Sequence, residues 1–349
     1  MVGENTNQKP PLLPDRYPID DFFICDVSSA NVKDDIGSME HPIFSLSTKP
    51  DTRPRSYEHN GVKITIAPST YGLATIHDKD ILIYCISQLI AKMEAGECPN
   101  RTLHLKAFDL LVATNRKTDG RGYEQLEAAL DRLSGTRIKT NLRTNDETTR
   151  EGFGLIDSWR VITKEGSDRM AHLRIELSQW VFNAVVGKEV LTLHRNYFRL
   201  RGSLERRMYE LARKHCGEQR QWKISLPLMQ KKCASASTLK EFRRLVTKIV
   251  KQNQLHQHFP DYSIELDDDM VRFNNRRTDN GCELQAPGIK LKPETYEKAK
   301  LAAPGLDVYQ LELEWKSSFA SPPKYADAAF LGFCTYRRTK RSTNSARLC

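Results

Sequence analysis

The chain has 349 residues, 39% of them hydrophobic and 28% charged, a length too great for one ordinary core and suited to two or three globular domains. Its 54 Lys and Arg outnumber 44 Asp and Glu for a net charge of +10, a balance that suits a polyanionic partner. No run approaches the roughly 18 apolar residues of a membrane span, no signal-type start is present, and the eight cysteines lie far apart without a Cys-x-x-Cys pair; a membrane protein, a disulfide frame and a zinc site are therefore excluded, and a soluble cytoplasmic protein is expected.

Residues 1–60 are rich in Pro, Asp and Ser, with ten acids against six bases, which predicts an irregular N-terminal arm. A first domain is expected over 61–187. It opens on the alternating Val62–Ile66, a short strand. Asp78 is placed to cap a helix whose Ile81, Leu82, Cys85, Ile86, Leu89, Ile90 and Met93 follow three–four spacing as far as Gly96, a stripe broad enough for a buried helix. A short helix from Ala107 to about Thr114 and a third from about Tyr123 to Leu133 come next. After Gly135 the period changes to two, over 136–141, 154–163 and 170–177, with a hairpin turn at 164–168. Three helices followed by a β-ribbon is the order of a winged helix. Ser178 then caps a linking helix.

A second domain, 188–280, repeats that order. Ser203 caps a helix, a short segment follows at 226–232, a long helix starts at Thr238, and strands lie near 263–266 and 270–273 with Asp267-Asp268-Asp269 turning between them. Residues 281–349 read as a helical appendage ending in the basic run Arg337–Arg341. The fold class is α+β, two tandem winged-helix domains with an irregular arm and a short helical C-terminal appendage.

The charge is regional. Between Arg199 and Lys251 fifteen Lys and Arg face only four acids, so this segment accounts for the excess of the whole chain. Within it, Thr238-x-x-Glu241 is a capping box that starts the long helix. At 100° per residue Leu239, Phe242, Leu245, Val246, Ile249 and Val250 share one face, and Lys240, Arg243, Arg244, Thr247, Lys248 and Lys251 share the other. Lys240 with Arg244 and Arg244 with Lys248 are like-charge pairs at a spacing where they oppose helix formation slightly. Opposite phosphates the same arrangement becomes favourable through counterion release, and Arg or Lys in a major groove can also read guanine edges. Arg199, Arg201, Arg206, Arg207, Lys231 and Lys232 are further candidates for DNA contact. The third helix of the first domain carries Glu124, Glu127 and Asp131, a poor face for phosphates. Its flanking Arg116, Lys117, Arg137 and Lys139 suit backbone contacts at most.

His256-Gln257-His258 resembles the metal pair of rolling-circle nicking enzymes, but Gln between the histidines and Pro260 just after them favour an exposed pair at a helix end. There is no phosphate loop of the Gly-x-x-x-x-Gly-Lys-Ser/Thr kind and no His-Glu-x-x-His. Trp159, Trp180, Trp222 and Trp315 suit cores better than a base-stacking platform. No catalytic constellation, metal site or cofactor is expected, and the protein is read as a binding protein, not an enzyme.

Several runs are similar to the replication initiator protein A family of bacterial plasmids: HPIFSLSTKPD at 41–51, GLATIHDKD at 72–80, AFDLLVATNR at 107–116, GFGLIDSW at 152–159, LERRMYELARKH at 204–215 and LKEFRRLV at 239–246. The resemblance extends in order over roughly residues 20–335. It implies two winged-helix domains that bind directly repeated sites (iterons) in double-stranded origin DNA, open the adjacent duplex, and bring in the host initiator DnaA and the DnaB helicase. It also implies that the second-domain helix enters the major groove, that the first domain serves dimerisation and backbone contact, and that a homodimer exchanges with a monomer. A winged-helix transcriptional repressor is the alternative, with a rolling-circle nicking enzyme behind it.

Overall fold

A computed structural model describes residues 10–18, 31–59, 62–144, 147–163, 170–276, 291–303 and 325–345, with isolated positions at 308, 311, 312, 315 and 323. The expected turn at 164–168 lies outside them.

Two stretches of the chain fold in the same order. In the first, helix α2 (Lys79–Glu94) is followed by strand β4 (Thr102–Lys106), α3 (Ala107–Ala113), α4 (Gly120–Gly135), β7 (Ile156–Thr163) and β8 (Met170–Leu177). These strands make an antiparallel sheet in the order β4-β8-β7. In the second, α6 (Ser203–His215) is followed by β10 (Gln221–Ser225), α7 (Leu226–Lys232), α8 (Leu239–His256), β11 (Tyr262–Asp267) and β12 (Met270–Asn275), with the sheet order β10-β12-β11. Each unit thus holds a strand between its first and second helices that the sequence reading missed. Both are five residues long, and β4, Thr-Leu-His-Leu-Lys, runs straight into α3, so its two alternating leucines are too short a run to stand out.

The first unit carries an insertion. β5 (Arg137–Thr144) and β6 (Glu147–Gly154) pair with each other, and β5 also pairs with β3 (Val62–Ala67), which pairs with β2 (Arg55–His59). Helix α5 (Gln179–Val186) is capped by Ser178, whose Oγ accepts from Val181 N at 3.4 Å. The arm expected to be irregular contains β2, a strand β1 (Lys33–Asp35) paired with β9 (Val190–Thr192), and a short helix α1 (Ile36–Glu40). Two other caps differ from expectation. Asp78 makes no cap bond to α2 and instead takes a bidentate contact from Arg132, both bonds 2.8 Å. Glu205, not Ser203, satisfies the start of α6, accepting from Gly202 N at 3.2 Å.

One apolar cluster runs from Val32 through α2, α4 and α6 to Phe273, so both units share a continuous core. A separate small cluster joins α9 (Pro293–Ala302) to α10 (Ala326–Ser345), with Ala299, Trp315, Phe330 and Cys334 buried.

Where α1 and α2 meet α6 the core is ionic. Lys79 Nζ lies 2.6 Å from Asp34 Oδ2 and 3.0 Å from Glu210 Oε1, all three side chains within 1% of full burial. Burial favours neutral Lys79, but Asp34 and Glu210 outweigh it and raise its pKa. Glu210 also accepts from Tyr197 OH at 2.7 Å and from Arg207 at 3.0 Å. Arg207 donates on to the carbonyls of Ser38, Met39 and Glu40, which ties α1 to α6. Dry ions persist only when paired and hydrogen-bonded, and that condition is met here.

A second cluster gathers on Glu40, which accepts from Lys232 at 2.5 Å, Lys214 at 3.0 Å and His215 at 3.2 Å. Burial pushes His215 and His41 each down to about 4 from 6.5. Both imidazoles stay neutral in the folded chain at a pH where an unfolded histidine takes a proton. Their contribution to stability is therefore complete above pH 6.5 and is lost as pH falls towards 4. Urea titrations across that window should show the unfolding midpoint falling steadily, and a flat midpoint would contradict the assignment.

Candidate nucleic-acid interface

Helix α8 is set by its sequence at both ends. Thr238 Oγ1 accepts from Glu241 N at 3.3 Å, and Gln257 closes the helix in the left-handed region at φ 49°. Phe242, Val246, Ile249 and Val250 are buried, as three–four spacing requires. Asn253 is buried with them and uses Oδ1 to accept from Phe259 N and Arg276, which anchors the chain after the helix. On the outer side Lys240, Arg244, Lys248 and Lys251 are exposed, with Arg243 and Thr247 half-buried.

Two arginines of that face are held by carboxylates. Arg244 makes a bidentate contact with Glu241, at 2.8 and 2.6 Å. The other half of the expected capping box is thus replaced by a surface pair, which removes the uncompensated like charge read from the sequence. Arg243 donates to Asp268 O at 2.7 Å and pairs with the Asp269 carboxylate. Both acids sit in the β11–β12 turn, where Asp268 has φ 49°. Thr247 Oγ1 donates to Arg243 O, within the helix. Among the described residues, Lys240, Lys248 and Lys251 have no ion-pair partner.

The other candidates divide sharply. Arg206 and Arg207 are only 3% and 2% exposed and Lys232 is 6% exposed, so they belong to the core and not to an outer DNA-facing surface. Arg206 is bound by Asp80 at 2.6 Å and by the carbonyls of Leu200 and Phe198. Arg199 and Arg201 donate to Leu13 O and Pro10 O and hold the N-terminal segment in place. Lys231 is exposed on α7. In the first unit Arg116 is half-buried against His77 O, while Lys117, Arg137 and Lys139 are exposed. Arg137 and Lys139 lie on β5, in the inserted four-stranded sheet and not in the β4-β8-β7 sheet of the unit.

His256 and His258 do not form a pair. His258 is buried with Nε2 2.7 Å from Glu205 Oε1, while His256 is exposed. Among the described residues no group of three His, Cys, Asp or Glu could hold a metal ion, and no helix is long and apolar enough to cross a membrane. Burial pushes the thiols of Cys85, Cys216 and Cys233 up to about 12, which leaves them unreactive. The residues that sequence reasoning missed are Glu241 and Asp269 as restraints on the two arginines. The run Asp267-Asp268-Asp269 was the available signal, but only the pairing of β11 with β12 brings it to α8.

The sequence family described as "Replication initiator protein A" matches residues 33–264. A relative from Wigglesworthia glossinidia brevipalpis, described as "Putative replication protein", is 39% identical over 278 residues, covering 78% of this chain and 99% of its own length. Among solved structures, domains 2 and 3 of RctB align with a TM-score of 0.52 over 69% of this chain and 96% of that one, at 12% identity, a likeness of fold alone. The family match takes in the first unit and the second as far as α8 and the start of β11, the relative is aligned over 78% of the chain, and the chain belongs to the replication initiator protein A family.

Proposed function

We propose that this protein initiates plasmid replication by binding repeated sites in double-stranded origin DNA through the outer face of α8, and that it acts by binding and not as an enzyme. The observation that carries the reading is the face itself. Lys240, Lys248 and Lys251 are exposed without ion-pair partners among the described residues, and Arg243 and Arg244 are held by carboxylates that phosphates can replace. The position of α8 supports it. In a helix–strand–helix–helix–strand–strand unit with this sheet order, which is the topology of a winged helix, the third helix is the one presented to the major groove. The first unit, of the same topology but with Glu124 and Glu127 exposed on α4, then serves dimerisation and contacts backbone phosphates through Lys117, Arg137 and Lys139. Opening of the duplex, recruitment of host DnaA and DnaB, and exchange between dimer and monomer complete the proposal.

A footprint of the purified chain on DNA flanking its gene tests this. Protection of direct repeats is expected, whereas protection of a single palindrome would make the protein a repressor instead. A finer expectation concerns Asp269, which restrains Arg243 and places a negative charge beside α8. Asp269→Asn should tighten non-specific duplex binding about threefold and steepen its salt dependence, since one more cation becomes free to displace counterions. Unchanged binding at two salt concentrations would show that the pair does not hold Arg243 back.

A further inference from the structure

A cavity of about 560 Å³ is bounded by the N-terminal segment, the loop at Lys49 and Pro50, the start of α2, the turn from α3 to α4, and Phe198 and Arg206, the latter on α6 of the second unit. That volume lies within the roughly 300–1,000 Å³ typical of small-molecule sites. It is far larger than a lone phosphate needs.

Its lining is strongly basic. Arg16, Lys49, Arg116, Lys117 and Arg121 contribute to it, with Arg132 and Arg206 beside them. The acids of the lining are Asp78, Asp80 and Asp119, and each is already engaged. Asp78 takes Arg132, Asp80 takes Arg206, and Asp119 accepts from Gly122 N at 2.9 Å with Lys117 3.8 Å away. Among the described residues neither Lys49 nor Arg121 has a carboxylate within ion-pair distance. The surplus is felt by His77, which burial and then Arg206 and Arg116 push down to about 3. Leu13, Pro50 and Phe198 supply an apolar part of the lining.

The cavity is closed on one side by a strap. Asn115, buried and in the left-handed region at φ 55°, donates from Nδ2 to Pro14 O at 3.1 Å and accepts from Arg16 N at 3.0 Å. Tyr17 OH donates to Arg116 O at 3.0 Å, and Arg199 donates to Leu13 O at 3.0 Å. An open groove would suit duplex DNA; a strapped cavity suits a small ligand. Asn tolerates the left-handed conformation better than most residues, and at this buried position its side chain makes two bonds that hold the strap.

We propose that this cavity binds a free nucleotide, with its phosphates against Lys49, Arg121, Arg16 and Arg116 and its base towards Leu13, Pro50 and Phe198. A nucleotide combines the multiple negative charge that offsets the surplus with a ring system that suits the apolar wall. The site is separate from α8, so the proposal stands independently of the role given to that helix.

The phosphate could also come from a DNA backbone, and the test distinguishes the two sources. Calorimetric titration of the full chain with ATP, and separately with inorganic phosphate, is paired with duplex binding measured on DNA flanking the gene. ATP should bind at least tenfold more tightly than inorganic phosphate. Replacing Lys49→Ala and Arg121→Ala together should weaken ATP at least tenfold and leave duplex affinity within twofold. Both side chains are exposed, so an unchanged melting temperature confirms that the variant folds. A chain with Lys240, Arg243, Arg244 and Lys248 replaced should retain ATP binding, which separates this site from the basic helix. Absence of ATP binding, ATP binding indifferent to Lys49 and Arg121, or a variant that loses duplex affinity instead would each overturn the proposal.

Discussion

Lys79→Ala should destabilise the protein by about 3–5 kcal/mol, among the largest single-residue effects in the chain. Lys79 is fully buried between Asp34 and Glu210. Removing it leaves Asp34 in a dry site beside Asp35 and Glu210, where burial already raises its pKa well above the ordinary value. Arg207 still covers one oxygen of Glu210, but it lies 3.0 Å from Oε2 and no contact of Arg207 with Asp34 replaces the lost lysine. Urea unfolding at neutral pH would measure the loss. Lys79→Met should be nearly as damaging, because it keeps most of the stem volume and removes the charge, so the pair of variants separates ionic loss from cavity formation. Arg101→Ala, which breaks partly exposed contacts with Asp157 and Glu176, should cost at most about 1 kcal/mol. Equal losses for Lys79 and Arg101 would show that the buried network contributes no more than an ordinary surface pair.

Replacing Lys240, Arg243, Arg244 and Lys248 together by alanine should weaken specific duplex binding by at least about 3 kcal/mol, more than a hundredfold. The four cations project from one side of α8 and none of their side chains is part of the buried core, so the fold should survive. Arg244→Ala alone should cost about 1–3 kcal/mol if it reads a base, whereas Lys231→Ala should lower the salt slope by about one if that lysine meets a phosphate. Filter binding at several salt concentrations reads both quantities. An unchanged footprint from a natively folded fourfold variant would remove α8 as the DNA-reading element.

Local signals carried much of the architecture. Three–four spacing over Ile81–Met93 and Phe242–Val250 marked α2 and α8 because a helix places those positions on one side whatever surrounds it. Thr238 and Ser178 were legible as caps because a cap bond spans only three residues. The strand β1, Lys-Asp-Asp, was not legible. Charged residues read as solvated arm, and nothing nearby in sequence shows that Lys79, 45 residues away, would neutralise Asp34. The same reason removed Arg206 and Arg207 from the candidate surface, since their carboxylate and carbonyl partners include Asp80, Ser38 and Met39, more than a hundred residues distant.

The amino-acid sequence by itself determined where α2 to α8 lie, that the positive charge concentrates between residues 199 and 251, and that α8 has one apolar and one basic face. Those properties follow from spacing and composition along a short stretch of chain. Which basic side chains face solvent was decided only by tertiary structure. Charge is a property of the residue, but its availability depends on whether distant segments supply a partner. Folding brings Asp34 to Lys79 on α2 and brings Asp80 and Glu40 to cations of α6 and α7, and it brings Asp269 to Arg243, while Lys240, Lys248 and Lys251 are left facing outward.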